Sequence, residues 1–258
     1  MATNKDIRLG ISQLVWGYNL SRPDRFVQFL DEASEIGYEG VLLFDSTIPF
    51  WYNRPDELKA MLTDRNLELA AVIHQQSLDF RGTRRLVEFV SKLGCKRIVL
   101  SSRDGRAEDW DIVMPLLQRH GEIAAEYGVR AVYHHHTNWI AETMEQYEKL
   151  LADTDRKYLG AMLDCGHATK DFVGHSALEF FEKHHDIIEY IEFKDFTPET
   201  DLGTEVGRGQ CDFPGIAEAI KKHGYKGWIV VEQNSTTGTP KGSATESYRY
   251  IRDTLGLP

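Results

Sequence analysis

The sequence predicts one domain over residues 1–258, a closed (β/α)₈ barrel. Three observations carry that expectation. Eight short apolar runs alternate with eight helical patterns, which is the order of a parallel sheet covered by helices. A helix end, a glycine, one further residue and then a strand recur at Gly37-Tyr38, Gly94-Cys95, Gly128-Val129 and Gly224-Tyr225. Glycine at that place adopts the left-handed conformation that ends a helix cheaply, so the repeat marks αβ turns. No linker or low-complexity stretch divides the chain, and barrels of this kind run to about 250 residues.

The elements follow in order. Ile7 to Ser12 reads as the first strand, and Arg22-Pro-Asp24 opens an amphipathic helix that stops at Gly37. Gly40-Val-Leu-Leu-Phe-Asp45 is nearly continuously apolar, as a strand buried on both faces must be. An aromatic loop, 46–53, then leads to a helix from about Pro55. Strand Leu67 to His74 precedes a helix from about Arg84 to Leu93, and strand Arg97 to Ser102 precedes a helix from Glu108 to Tyr127. Strand Arg130 to His136, helix 142–153, strand Tyr158 to Asp164 and helix 176–184 come next. Strand Ile187 to Lys194 runs into a longer loop with Gly207-Arg-Gly209, then helix 213–223. Strand Trp228 to Glu232 and a helix from Ala244 to Thr254 finish the set.

Composition bounds the function. Hydrophobic residues make up 41% and charged residues 27%, an ordinary balance for a globular protein. The net charge of −10, with no Lys/Arg run, argues against nucleic acid as a partner. No apolar run reaches membrane length, and Met1-Ala-Thr-Asn-Lys5 lacks the apolar segment of a secretory leader. Cys95, Cys165 and Cys211 form no CxxC pair, which suits a reducing cytoplasm. The expected partner is a small molecule, and a homo-oligomer is left open.

In a (β/α)₈ barrel the chemistry sits at the C-terminal ends of the strands. Polar residues there are Asp45, His74, Ser101, Ser102, His134, His136, Asp164 with His167, Glu192 with Lys194, and Glu232; Trp16 is the one aromatic. Side chains alternate along a strand, so His134 and His136 share a face that His135 does not. Glu192 interrupts the apolar run Ile187 to Phe193, and Glu232 follows Trp-Ile-Val-Val directly. A carboxylate inside a barrel strand is costly unless it is paired or bound to metal. His134, Asp164, Glu192 and Glu232 stand on neighbouring strands five to eight, and one imidazole with three carboxylates makes an N/O site without thiolate. It suits one divalent ion, manganese, cobalt, magnesium or zinc, in no order that the donor set decides. The plainer reading is a set of buried salt bridges with Lys194 and Arg208 as counterions.

At these residues the chain resembles the xylose-isomerase-like barrels, a superfamily of sugar isomerases, epimerases and dehydratases, and among them the inosose dehydratases. The pieces that carry the resemblance are Tyr133-His-His-His136, Asp164-Cys-Gly-His167, Phe193-Lys-Asp195, Gly207-x-Gly-x-x-Asp-Phe-Pro-Gly215 and Gly224-Tyr-x-Gly-Trp228 running into Val231-Glu232. The superfamily's metal quartet is Glu, Asp, His and Glu on strands five to eight. The resemblance implies that His134, Asp164, Glu192 and Glu232 take those places. The order differs, with His134 where Glu is usual and Glu192 where His is usual. In the epimerases the carboxylates on strands five and eight also form the acid/base pair; here Glu232 alone matches.

The implied chemistry is removal of a proton next to the carbonyl of a keto-sugar or cyclitol, with a divalent ion stabilising the enediolate. Isomerisation or epimerisation is the first expectation. The alternatives are a lyase of the inosose dehydratase type or an eliminase on a 3-keto-glycoside, and a non-catalytic sugar-binding or partner subunit. Glu232 is the expected base, with His167 and His74 as further acid/base candidates. Trp16, His136, Lys194 and Arg208 are the expected substrate contacts, and the Phe50-Trp51-Tyr52 cluster a stacking wall. Acidic residues around Gly207-Arg208-Gly209 would repel a dianion, which favours an uncharged substrate over a sugar phosphate.

Overall fold

The computed structural model describes residues 6–75, 80–102 and 107–258. The opening residues 1–5, read above for the absence of a leader, lie outside them. Among the described residues, eight parallel strands close into a barrel: β1 (Ile7–Ser12), β2 (Gly40–Phe44), β3 (Glu68–Gln75), β4 (Arg97–Ser101), β5 (Arg130–Tyr133), β6 (Leu159–Asp164), β7 (Ile188–Phe193) and β10 (Gly227–Val231). Ile7 to Ile11 of β1 pair with Gly227 to Val231 of β10, which completes the ring. The helices α1 (Pro23–Ile36), α2 (Pro55–Thr63), α3 (Phe80–Lys92), α4 (Trp110–Glu126) and α5 (Met144–Asp153) follow the first five strands. After β6 come α6 (Cys165–Asp171) and α7 (Ala177–His184); α8 (Phe213–His223) and α9 (Pro240–Arg249) close the circuit. None of these helices is long and apolar enough to cross a membrane.

The predicted helix-end turns form as expected. Gly37 takes φ 111° and returns its N–H to Ala33 and Ser34, and Gly224 at φ 65° caps α8 on Ile220. Two elements were not legible. A short hairpin, β8 (Asp195–Thr197) with β9 (Asp201–Thr204), projects from the loop after β7. Helix α6 begins straight after β6, because Asp164 serves as its N-cap and accepts the His167 N–H at 2.9 Å. Helix α3 starts earlier than expected, at Phe80, and α9 at Pro240.

Burial fixes which face of each strand looks inward. Leu42, Phe44, Ala71, Ile73, Val99, Val132, Met162, Tyr190 and Val230 belong to the cluster filling the barrel. Their sequence neighbours Val41, Leu43, Val72, Leu100, Leu163, Ile191, Ile229 and Val231 belong to the larger core under the helices. With a period of two, the inward frame continues to Ser12, Ser101, His134, Asp164, Glu192 and Glu232 at the strand ends.

Candidate metal centre and cavity

The four residues expected as a quartet converge. His134 Nε2 lies 3.1 Å from Asp164 Oδ2 and 3.3 Å from Glu192 Oε2. Asp164, Glu192 and Glu232 each offer an oxygen within 4.8 Å of the others, and His134, Asp164 and His167 form a second such trio through the shared Asp164. Tyr190 and Met162 lie beneath, in the barrel core. Each of the four is almost wholly buried.

The electrostatics of this cluster are compatible with a bound cation. Neither oxygen of Glu192 has an aligned hydrogen bond, and His167 Nε2 is equally bare. Burial, then the Glu232 charge, push the Glu192 carboxyl up to about 7 despite His134. Burial alone would depress His134, yet its hydrogen bond to Asp164 and the nearby Glu192 carboxyl override that and raise the imidazole to about 10. The His134 ring thus stands between the Asp164 and Glu192 carboxyl groups, which favour its protonated form. A divalent ion fits the same donors, since buried carboxylate oxygens without partners are the costly groups it would satisfy.

Glu232 differs from Glu192 in being fully engaged. Ser12 Oγ donates to its Oε2 at 2.8 Å and Lys194 Nζ to its Oε1 at 2.8 Å. Burial lowers the affinity of Lys194 for its proton, but Glu232 and Asp164 outweigh this and raise its pKa. Above the cluster opens a cavity of about 540 Å³, lined on the polar side by His134, His136, Lys194, Glu232 and Asn234. His136 is held neutral, its pKa lowered to about 3 by burial and by the charge of His134. Its Nδ1–H donates to the Thr137 carbonyl at 2.9 Å, which leaves Nε2 as an acceptor. Trp139 stacks on the same ring at 3.7 Å.

Several sequence expectations are corrected. His74 faces the helices rather than the cavity, because Ile73 takes the inward place; its ring bonds Asp45 Oδ2 and Thr83 Oγ1, both at 2.9 Å. Trp16 donates to Glu32 at 2.6 Å and packs on Phe29, off the cavity wall. Arg208 pairs with Glu246 on the surface at 2.8 Å. Trp51 and Tyr52 pack on Phe26 and Phe89 and Phe50 is exposed, and none of the three lines the cavity as the expected stacking wall. His167 lies beneath His136, rings 4.1 Å apart, with Nδ1 near Thr137 Oγ1 (3.1 Å) and Asp171 Oδ2 (3.3 Å). Burial pushes it well below its usual value, so it is a neutral supporting imidazole.

Sequence reading missed Ser12, Tyr18, Trp139 and Asn234. Period-two parity would have found Ser12, two residues beyond Gly10 on the inward face; nothing local marks the others. It also missed what fills the Gly207-Arg208-Gly209 turn. The buried Asp195 carboxylate accepts the N–H groups of Gly207, Gly209 and Cys211 at 2.9, 2.7 and 3.1 Å. A cradle of amides that would suit a phosphate is occupied by the protein's own anion.

A closed eight-stranded barrel with a convergent acid and imidazole cluster at its C-terminal rim defines a TIM barrel with its candidate site in the usual place. The chain belongs to the xylose isomerase-like TIM barrel family, whose model matches residues 30–254. An inosose dehydratase of Geobacillus thermodenitrificans is 28% identical, with all of both chains covered. One from Lactiplantibacillus plantarum is 25% identical across 97% of each. The fold is shared with 3-keto-D-glucoside 4-epimerase from E. coli, at TM-score 0.78 and 16% identity over 96% of this chain and 99% of that one. It is also shared with the IolI protein solved with a zinc atom, at TM-score 0.73 and 17% identity over 96% and 98%.

Proposed function

We propose that the chain is a metal-dependent carbon–oxygen lyase acting on an uncharged keto-sugar or keto-cyclitol. It removes the proton beside the carbonyl and expels an oxygen substituent from the next carbon. The observation that carries this is the asymmetry of the rim: Glu232 is a carboxylate on the cavity wall, while strand five presents His134. Epimerisation, the first expectation from sequence, needs a proton acceptor on one face of the ring and a donor on the other. With a histidine on strand five, elimination, which needs one base and a donor for the leaving oxygen, fits the residues better. The relatives spanning the whole chain carry the name inosose dehydratase, which supports the same choice. The likeness to epimerases is one of fold.

His134, Asp164, Glu192 and Glu232 would hold the ion, with His167 as a further donor. When bound, a divalent ion polarises the carbonyl and stabilises the negative charge that develops on its oxygen. Glu232 takes the proton, oriented by Ser12 and Lys194. The Lys194 ammonium donates to the leaving oxygen, and His136 Nε2 accepts from a ring hydroxyl. Asp195 fills the amide turn of Gly207 and Gly209, and Arg208 turns to Glu246, which supports an uncharged substrate.

The test is product analysis with 2-keto-myo-inositol and a 3-keto-glucoside, in heavy water and with metal occupancy measured. An unsaturated product lighter by the leaving group is expected, with Glu232→Gln slower by at least a hundredfold. A product of unchanged mass with exchanged hydrogen would overturn the lyase reading in favour of an epimerase.

A further inference from the structure

The chemistry above uses only half of the cavity. Among the described residues, charged and imidazole groups line the side formed by β5 to β10, whereas Leu14, Tyr18, Phe44 and Ile73 dominate the side formed by β1 to β3, with Gln75 and Ser101 as the polar groups at its edge. The Tyr18 and Phe44 rings pack 5.0 Å apart, and the Tyr18 hydroxyl donates to Gln75 Oε1 at 2.5 Å, which holds that ring against the wall. Leu14 rests on the barrel cluster that contains Phe44 and Ile73. Tyr18 is 40% exposed, a large apolar side chain presented at the mouth.

Two mismatches follow for a bare cyclitol. A cavity of about 540 Å³ lies within the range of roughly 300–1,000 Å³ that accommodates a drug-sized ligand. Six carbons and six oxygens do not fill it. A ring with hydroxyls around its whole edge would also press some of them against the carbon of Leu14, Phe44 and Ile73, where they lose water and those side chains offer no partner. A ligand that is polar at one end and apolar at the other satisfies both halves.

We propose that Leu14, Tyr18, Phe44 and Ile73 form a subsite for an apolar aglycone. The substrate class is then a keto-glycoside, with its sugar ring on the polar side and an aryl or branched alkyl group against this wall. The inference rests on the keto-sugar reading above and adds the substituent. Discrimination comes from apolar area removed from water, so it separates phenyl from methyl while the sugar contacts stay the same.

Unreactive methyl and phenyl β-D-glucopyranosides, titrated calorimetrically into the metal-loaded protein, read the subsite directly. Their 3-keto derivatives, assayed for turnover and for exchange of the proton beside the carbonyl, read it through kcat/KM. The phenyl compounds are expected to be better by at least tenfold, within the roughly 10–200-fold that apolar pockets deliver for small groups. Tyr18→Ala, at an exposed position the fold tolerates, and Phe44→Leu should each move the phenyl-to-methyl ratio toward one. Turnover of both keto-glycosides with equal constants overturns the subsite and leaves the keto-sugar reading standing. Phenyl preference in calorimetry, lost in Tyr18→Ala, without proton exchange on any ketone keeps the subsite and overturns the chemistry. A ratio unchanged in both variants, or no measurable binding and no turnover of either phenyl compound, overturns the subsite.

Discussion

Replacing Asp195 by Asn should unfasten the loop after β7. The carboxylate is fully buried and accepts four backbone N–H groups: Gly207 and Gly209 on Oδ2, Phe196 and Cys211 on Oδ1. An asparagine keeps one acceptor oxygen and turns an NH₂ toward the other pair of donors. Two part-buried N–H groups then lose their acceptor, and at about 1–3 kcal/mol for each one that water does not reach, the loss is at most about 2–6 kcal/mol. Against a typical total of about 5–15 kcal/mol that is a large share. The backbone approaches closely here, since a Cβ at Gly209 would sit 2.2 Å from Asp195 Oδ1. Urea unfolding of Asp195→Asn at neutral pH, followed by circular dichroism, measures the loss. A loss under about 1 kcal/mol would refute the account of this turn.

Other outcomes follow from the same contacts. Glu192→Gln should weaken divalent-ion affinity at least tenfold, read as a smaller metal-induced rise in Tm after chelation; an unchanged rise would remove Glu192 from the site. Metal uptake should release a proton from His134, whose pKa stands at about 10 in the metal-free protein, so affinity should rise with pH between 6 and 9. Buffer-dependent calorimetry would count that proton, and a count of zero would deny His134 as a ligand. Lys194→Met removes one partner of a buried pair and should cost about 3–5 kcal/mol in stability, besides lowering kcat by at least a hundredfold. His74→Ala should lower stability by about 1–3 kcal/mol with kcat within a few-fold of the parent, since it loses bonds to Asp45 and Thr83 and touches nothing in the cavity. A collapse of kcat at preserved fold would return His74 to the catalytic group.

Local chemistry was enough to read much of this protein from its sequence. Apolar runs of strand length, helix-ending glycines and helical periodicity are short-range signals, and together they define the eight units. Strand alternation also separates His134 and His136 from His135, which packs outward against Tyr147 and Phe172. The cost of burying Glu192 and Glu232 marked the rim residues as a group. What closure of the sheet decided is different in kind. Which face of β3 looks inward is set by barrel stagger rather than by any residue near His74, and it turned that side chain away from the cavity. Pairing of β1 with β10 brings Ser12 to Glu232 across 220 positions, a contact with no local signature. Asp195 and the Gly207 turn each had a plausible separate use until the loop folded one into the other. The largely apolar wall opposite the acid and imidazole cluster is likewise assembled from Leu14 and Tyr18 of the connection after β1, Phe44 of β2 and Ile73 of β3, which meet because the barrel is closed.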